Sequence, residues 1–330
     1  KITFQLLLFE IIIMIQTIIF LFYFIINCVA WHYGRNLSAI NENFPASTFA
    51  NVSTVVVFIG HPRSGSTVVG SILDAHPDMI ISNEVDLLSN LEVWQRQFLQ
   101  CRSNCVAHAR KLLVELYSIM LDNSAQYGKS RVHSGFNYSI PGQGEWRNLK
   151  VIGDKKAGKT ALFLSSLFKK AITDFKFLES MGGVSVKFVH VVRNPFDIIA
   201  TIVRRRLFDG TAYFEHRYDM LTPDLETLQN TTRRVFQLER SIAQLKNTKL
   251  FDIIELHHVD LLAHTERELQ RVCTWLGDIT YDEQWALNSK QILHEHPSRS
   301  RDFLVWPQSI VDSIIKQSQQ DTSFSRYAND

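Results

Sequence analysis

Cysteine is nearly missing from this chain, with four residues in 330, which excludes a disulfide scaffold and a Cys-based zinc site. A surplus of either charge is missing too. The net charge of +2, from 35 Lys plus Arg against 33 Asp plus Glu, rules out a general nucleic-acid binder. No internal repeat or low-complexity tract is present, and 45% apolar residues is too many for a disordered chain. Glycine is scarce at 14 residues, so glycine-containing motifs are rare by chance.

Apolar sequence is in excess at one place. Of the first 30 residues 23 are apolar, and between residues 4 and 30 the only charge is Glu10. A helix over residues 11–30 would be about 30 Å long, the thickness of one hydrocarbon core. Residues 1–30 are therefore expected to form a transmembrane signal anchor; a cleaved signal peptide is the alternative, because Cys28-Val29-Ala30 offers small residues to a peptidase. Lys1 against Arg35 does not fix the orientation by charge. Four acceptor sequons, at Asn36, Asn51, Asn137 and Asn230, all follow the apolar run and favour a lumenal domain. The polar, aperiodic stretch 31–53 reads as a stem, and 54–330 as one domain. Cys101 and Cys105 are close enough in sequence to pair, whereas Cys273 sits in an apolar helical pattern and reads as core.

From residue 54 onward short β-branched runs alternate with longer amphipathic ones. Strands are predicted over 54–59, 79–82, 149–152, 186–192 and 251–256, and helices over 66–75, 106–121, 159–178, 195–206, 224–245 and 266–276. Alternating βα units imply an α/β fold, a mainly parallel sheet flanked by helices. The segment 126–147 reads as a long loop.

The first strand runs into Gly60-His-Pro-Arg-Ser-Gly-Ser-Thr67 and then an apolar helix. Such a turn aims backbone N–H groups and a positive helix end at one point, which suits phosphate or sulfate. Arg63, Ser64, Gly65, Ser66 and Thr67 are the candidate anion-binding residues. A second turn follows the fourth strand, where Arg193 stands at the carboxyl edge of the sheet and Pro195 opens a helix. Thr201 and Arg205 lie further along that helix, within reach of a second phosphate. Arg204 and Arg206 read as a solvated helix end.

Together the two motifs resemble the PAPS-dependent sulfotransferases. Pro62-Arg-Ser-Gly-Ser-Thr67 followed by Leu73-Asp-Ala-His-Pro-Asp78 is similar to the tyrosylprotein sulfotransferases and the wider Golgi carbohydrate group. The resemblance implies a P-loop-like sulfotransferase fold, a Golgi membrane protein with a lumenal catalytic domain, and PAPS as co-substrate with no metal. It places the 5′-phosphosulfate on residues 63–67 and the 3′-phosphate on Arg193 and Thr201, with Arg205 matching more weakly. Glu84 falls where the family carries its base, and Asp154-Lys155 on its Asp-Lys step. The acceptor it implies is a hydroxyl of a glycan or a protein tyrosine; a homodimer is allowed, a nucleic-acid partner is not expected. One departure is His257-His258-Val-Asp-Leu261, where the family reads Tyr-Glu-Asp-Leu.

The chemistry is consistent with these residue types. Moving an SO3 group in line between two oxygens needs positioning and charge stabilisation more than covalent work. Arg63 and Lys155 would stabilise the developing charge, and Glu84 would accept the acceptor's proton. Lys156 competes with Lys155, because neighbours on an extended segment point opposite ways. A rival signal is Gly153-Asp-Lys-Lys-Ala-Gly-Lys-Thr160, which matches the Walker A pattern letter for letter and would make the chain a P-loop NTPase or kinase. That reading leaves both anion turns unexplained. A catalytically inactive PAPS-binding protein is the third reading. The C-terminal histidines His257, His258, His264, His294 and His296 share no ligand spacing on one element.

Overall fold

The computed structural model describes residues 44–128, 132–133, 136–208 and 212–329. The membrane segment expected over 1–30, and most of the stem with Asn36, lie outside these residues. Among the described residues no helix is long and apolar enough to cross a membrane. The end of the expected stem belongs to the domain. Ala46 and Phe49 are buried in the main core cluster, and Phe44 packs against it.

Five parallel strands form the central sheet: β1 (Thr54–Gly60), β2 (Met79–Ser82), β5 (Val151–Asp154), β6 (Ser185–Val192) and β7 (Asp252–His257), in the order β2-β5-β1-β6-β7. β1 is buried at all seven positions, as a β-branched strand covered on both faces should be. Its alternate residues serve two cores. Val55, Val57 and Ile59 face α3 (Cys105–Gly128), α4 (Ala157–Gly182) and α7 (Leu225–Thr248). Val56 and Phe58 face α1 (Ser66–Asp74), α9 (Thr265–Leu276) and α10 (Glu283–Lys290). A third cluster joins α5 (Pro195–Leu207) and α7 to α11 (Gln308–Gln319), and two short helices, α6 (Ala212–Glu215) and α8 (His258–Ala263), follow α5 and β7.

Several expectations are corrected. β5 starts two residues later than predicted and runs through Gly153, because that position is pressed between Ile81 and Val56; an added Cβ would meet them at 2.6 and 2.8 Å. The loop at 126–147 contains a short antiparallel pair, β3 (Val132–His133) and β4 (Phe136–Asn137). An unpredicted helix, α2 (Leu87–Leu99), follows β2. Arg204 is not a solvated helix end: it is 1% exposed and donates to the backbone carbonyls of His216, Asp219 and Phe303 at 2.6, 2.7 and 2.8 Å. Arg206 donates to Thr231 Oγ1 at 3.0 Å. Cys101 and Cys105 are free thiols, Cys105 donating to the Cys101 carbonyl at 3.4 Å. Cys273 is buried core.

Candidate functional site

Just past the carboxyl end of each strand of the parallel sheet stands one charged or imidazole-bearing candidate residue. In sheet order these are Glu84 after β2, Lys155 after β5, Arg63 after β1, Arg193 after β6 and His258 after β7. At about 4.8 Å between strands they span on the order of 19 Å, the length of an extended nucleotide. Open α/β sheets bind ligands along this edge.

The first candidate anion loop, after β1, is a tight turn. Ser64 N donates to His61 O at 3.3 Å, and Arg63 sits at the third turn position with φ 71°, where a type II turn ordinarily asks for glycine. A left-handed Arg costs roughly 1–2 kcal/mol, so its surroundings must hold it. Arg193 does so from the second turn, donating to Arg63 O at 3.0 Å and to Ser298 O at 2.8 Å. The two predicted anion sites are thus one structure. Gly65 caps α1 with φ 100°, and an added Cβ would meet His258 Cδ2 at 2.9 Å. Ser66 and Thr67 open the first turn of α1.

Three buried polar atoms along these loops lack a hydrogen-bond partner among the described residues: Ser64 Oγ, Arg193 Nε and His258 Nδ1. Native structures rarely leave buried polar groups unpaired without a purpose. A multiply charged phosphate or sulfate ester offers the acceptors that these hydroxyl, guanidinium and imidazole groups lack. A cavity of about 270 Å3 lies beside them, lined by Arg193, Asn194, His258, Arg299, Arg301 and Tyr327. A larger open depression of about 540 Å3, lined by Asn51, Lys150 and Asp278, is at the amino end of the sheet, a full strand length from the loops.

His258 had no assigned role in the sequence. Burial, then Arg193 and then His294, hold its imidazole down to about 3, so it is neutral. The signal was present as the departure at 257–261. Tyr138 was also missed, because it lies in a segment with no periodicity. Burial pushes its hydroxyl pKa up against Arg63, Arg217 and Arg193, which places it within electrostatic reach of both anion loops. Thr201 is buried and bonds Asp197 O at 2.7 Å and Ser300 Oγ at 3.1 Å. Asp197 also takes Arg301 N and Arg301 Nη1, both at 3.0 Å, joining the segment after 297 to the second loop. Arg205 stacks its guanidinium 3.5 Å from the Tyr213 ring centroid.

At the other end, Lys155 Nζ lies 2.8 Å from Glu84 Oε1 and Lys156 Nζ 3.2 Å from Oε2. Both lysines therefore reach Glu84, but they differ in burial: Lys155 is 2% exposed and Lys156 28%. Burial pulls the Glu84 carboxyl upward, yet Lys155 first and Lys156 second outweigh it and hold it at about 2.

The Walker-like string folds differently from a phosphate loop. Only Lys155 and Lys156 separate β5 from α4, and Gly158 lies within the helix, where an added Cβ would meet Pro62 Cγ at 2.9 Å. Lys159, the would-be phosphate lysine, pairs with Asp86. Both glycines are explained by packing, so the NTPase reading loses its phosphate cradle. Among the described residues no group of three or more His, Cys, Asp or Glu is placed to hold a metal ion.

No family model matches the chain, and no curated protein sequence matches it. Among solved structures it is similar to the sulfotransferase STF9 from Mycobacterium avium, with a TM-score of 0.40 and 11% identity over 84% of this chain and 79% of that one. It is also similar to mouse sulfotransferase SULT7A1 complexed with PAP, with a TM-score of 0.38 and 11% identity over 84% and 88% of the two chains. At this level of likeness, function has to be read from the chain's own residues.

Proposed function

We propose that this protein is a sulfotransferase that takes a sulfuryl group from PAPS and passes it to a hydroxyl of a glycan or a protein tyrosine. The observation that carries this reading is the ordered row Glu84, Lys155, Arg63, Arg193 along one sheet edge, with unpaired polar groups on the loops between. The donor supplies the SO3 group and a phosphate leaving oxygen. Residues 63–67 hold the anion at the centre of the sheet through backbone N–H groups and the Arg63 fork. Arg193 and Thr201, with His258, hold the second phosphate. Arg63 and Lys155 stabilise charge as it develops, and Glu84 takes the acceptor's proton.

Residence in the Golgi membrane, with the domain in the lumen, belongs to the same proposal. It is supported by the apolar N-terminus and by the exposure of Asn51, Asn137 and Asn230, the three sequon asparagines within the described residues. The test of the cofactor assignment is binding to immobilised 3′,5′-ADP. Arg63→Ala and Arg193→Ala are each expected to lose retention, Arg193→Ala more completely because it also releases the Arg63 carbonyl. Retention of both variants would sink the assignment. Labelled PAPS with glycan and tyrosine-peptide acceptors then separates an active enzyme from a protein that only binds the nucleotide.

A further inference from the structure

The turn after β2 is strained at two places. Glu84 and Asp86 both have φ 67°, and neither is a glycine, so each is held in a left-handed conformation that side chains with a Cβ disfavour. The buried carboxylate of Asp154, 2% exposed at the end of β5, gathers this turn. One oxygen accepts from Ser82 Oγ at 2.9 Å and Val85 N at 3.0 Å. The other accepts from Asp86 N at 3.0 Å and Leu87 N at 3.1 Å. Burial pushes the Asp154 carboxyl up while these donors pull it down. The next residue works on the same turn: Lys155 N donates to Ser82 O at 3.0 Å, and its ammonium holds the Glu84 side chain. Asn123 Oδ1 adds one more anchor, accepting from Asn83 N at 2.6 Å.

This is more than a helix cap. A single side-chain acceptor usually satisfies one or two of the free N–H groups that open a helix. Here one carboxylate takes three consecutive N–H groups and a hydroxyl, and the residue just before them is the proposed base. The Asp154 position also lies within the Walker-like string, whose resemblance to a nucleotide motif is thereby given a different cause.

We propose that Asp154 is a positioning residue for Glu84, fixing the left-handed turn from which the Glu84 carboxylate is presented between Lys155 and Lys156. Asp154 is buried, and its carboxylate is occupied by the four donors of the turn. The inference rests on the sulfotransferase reading, in which Glu84 is the base. The charged groups facing Glu84 are Lys155 and Lys156, and the neighbouring Asp86 is paired with Lys159.

Asp154→Asn tests it, because the amide keeps the shape but has one acceptor oxygen and aims an NH2 at donors. Retention on 3′,5′-ADP should stay within twofold of wild type, since both anion loops are untouched, while kcat falls at least tenfold at unchanged KM for PAPS. With Glu84 no longer seated between the lysines, its carboxyl returns from about 2 toward the ordinary 4.5. The acid limb of kcat/KM should therefore appear higher than in wild type, by up to about 2.5 pH units. A purely structural role would lower the melting temperature without moving that limb. If Asp154→Asn does not fold, Ser82→Ala removes one of the four donors, and a smaller shift in the same direction is expected. Wild-type kcat and an unmoved acid limb in a variant that binds nucleotide would overturn the positioning role and leave the sulfotransferase reading standing. A wild-type protein that neither binds nor transfers would remove both.

Discussion

Glu84→Gln is expected to bind 3′,5′-ADP like the wild type and to lose sulfuryl transfer by about 10²- to 10⁴-fold, the range a positioned general base contributes. The substitution keeps the volume and one acceptor oxygen, so the turn between β2 and α2 should survive. What disappears is the group that can take a proton. With its carboxyl held at about 2 by the two lysines, Glu84 in the ligand-free protein is charged at every physiological pH but is a weak proton acceptor. The measurement is transfer from labelled PAPS alongside a nucleotide-binding assay. A Gln variant with full transfer would show that another group takes the proton.

Much of this arrangement was legible in the sequence because the strands are covered on both faces. A buried parallel strand must be a near-continuous β-branched run, and Val55 to Ile59 and Val186 to Val192 have no other reading. The turn after β1 could be read because its chemistry is local: glycine at Gly65, hydroxyls at Ser66 and Thr67, a guanidinium at Arg63. What escaped was set by partners distant in the chain. Arg204 is buried because carbonyls at His216, Asp219 and Phe303 converge on it, and nothing near residue 204 announces them. The bond from Arg193 to the Arg63 carbonyl spans 130 residues. The Walker-like string, set aside as a rival, owes its spacing to distant partners as well. Its glycines are spaced like a phosphate loop but are required by close contact with Ile81, Val56 and Pro62.

Behind the first anion loop lies a buried charged chain that the proposed chemistry does not use, and removing its centre should have the largest effect on stability. Glu239 of α7, fully buried, accepts from His61 Nε2 at 2.9 Å, and His61 begins the anion loop. His190 of β6 lies between Glu239 and Glu255, 3.6 Å from each, and Lys246 pairs with Glu255. Burial lowers the His190 pKa, but the two carboxylates outweigh it and raise it; burial raises Glu239, but His190 and His61 carry it well below 4.5. Glu239→Leu leaves His190 and Lys246 with one carboxylate, an uncompensated buried charge costing about 3–5 kcal/mol. The melting temperature should fall by roughly 6–20 °C. The pH dependence has a definite sign. A raised histidine contributes fully below its ordinary 6.5 and is lost as pH climbs through its raised value. Depressed glutamates contribute above 4.5 and are lost as pH falls through theirs. The network is therefore strongest between these limits, in mildly acidic solution. Glu239→Gln, which keeps the His61 contact but removes the charge, should flatten the alkaline side of the wild-type stability curve. Melting curves from pH 4 to 9 read both effects, and an alkaline slope unchanged in Glu239→Gln would mean that His190 does not carry its charge at neutral pH.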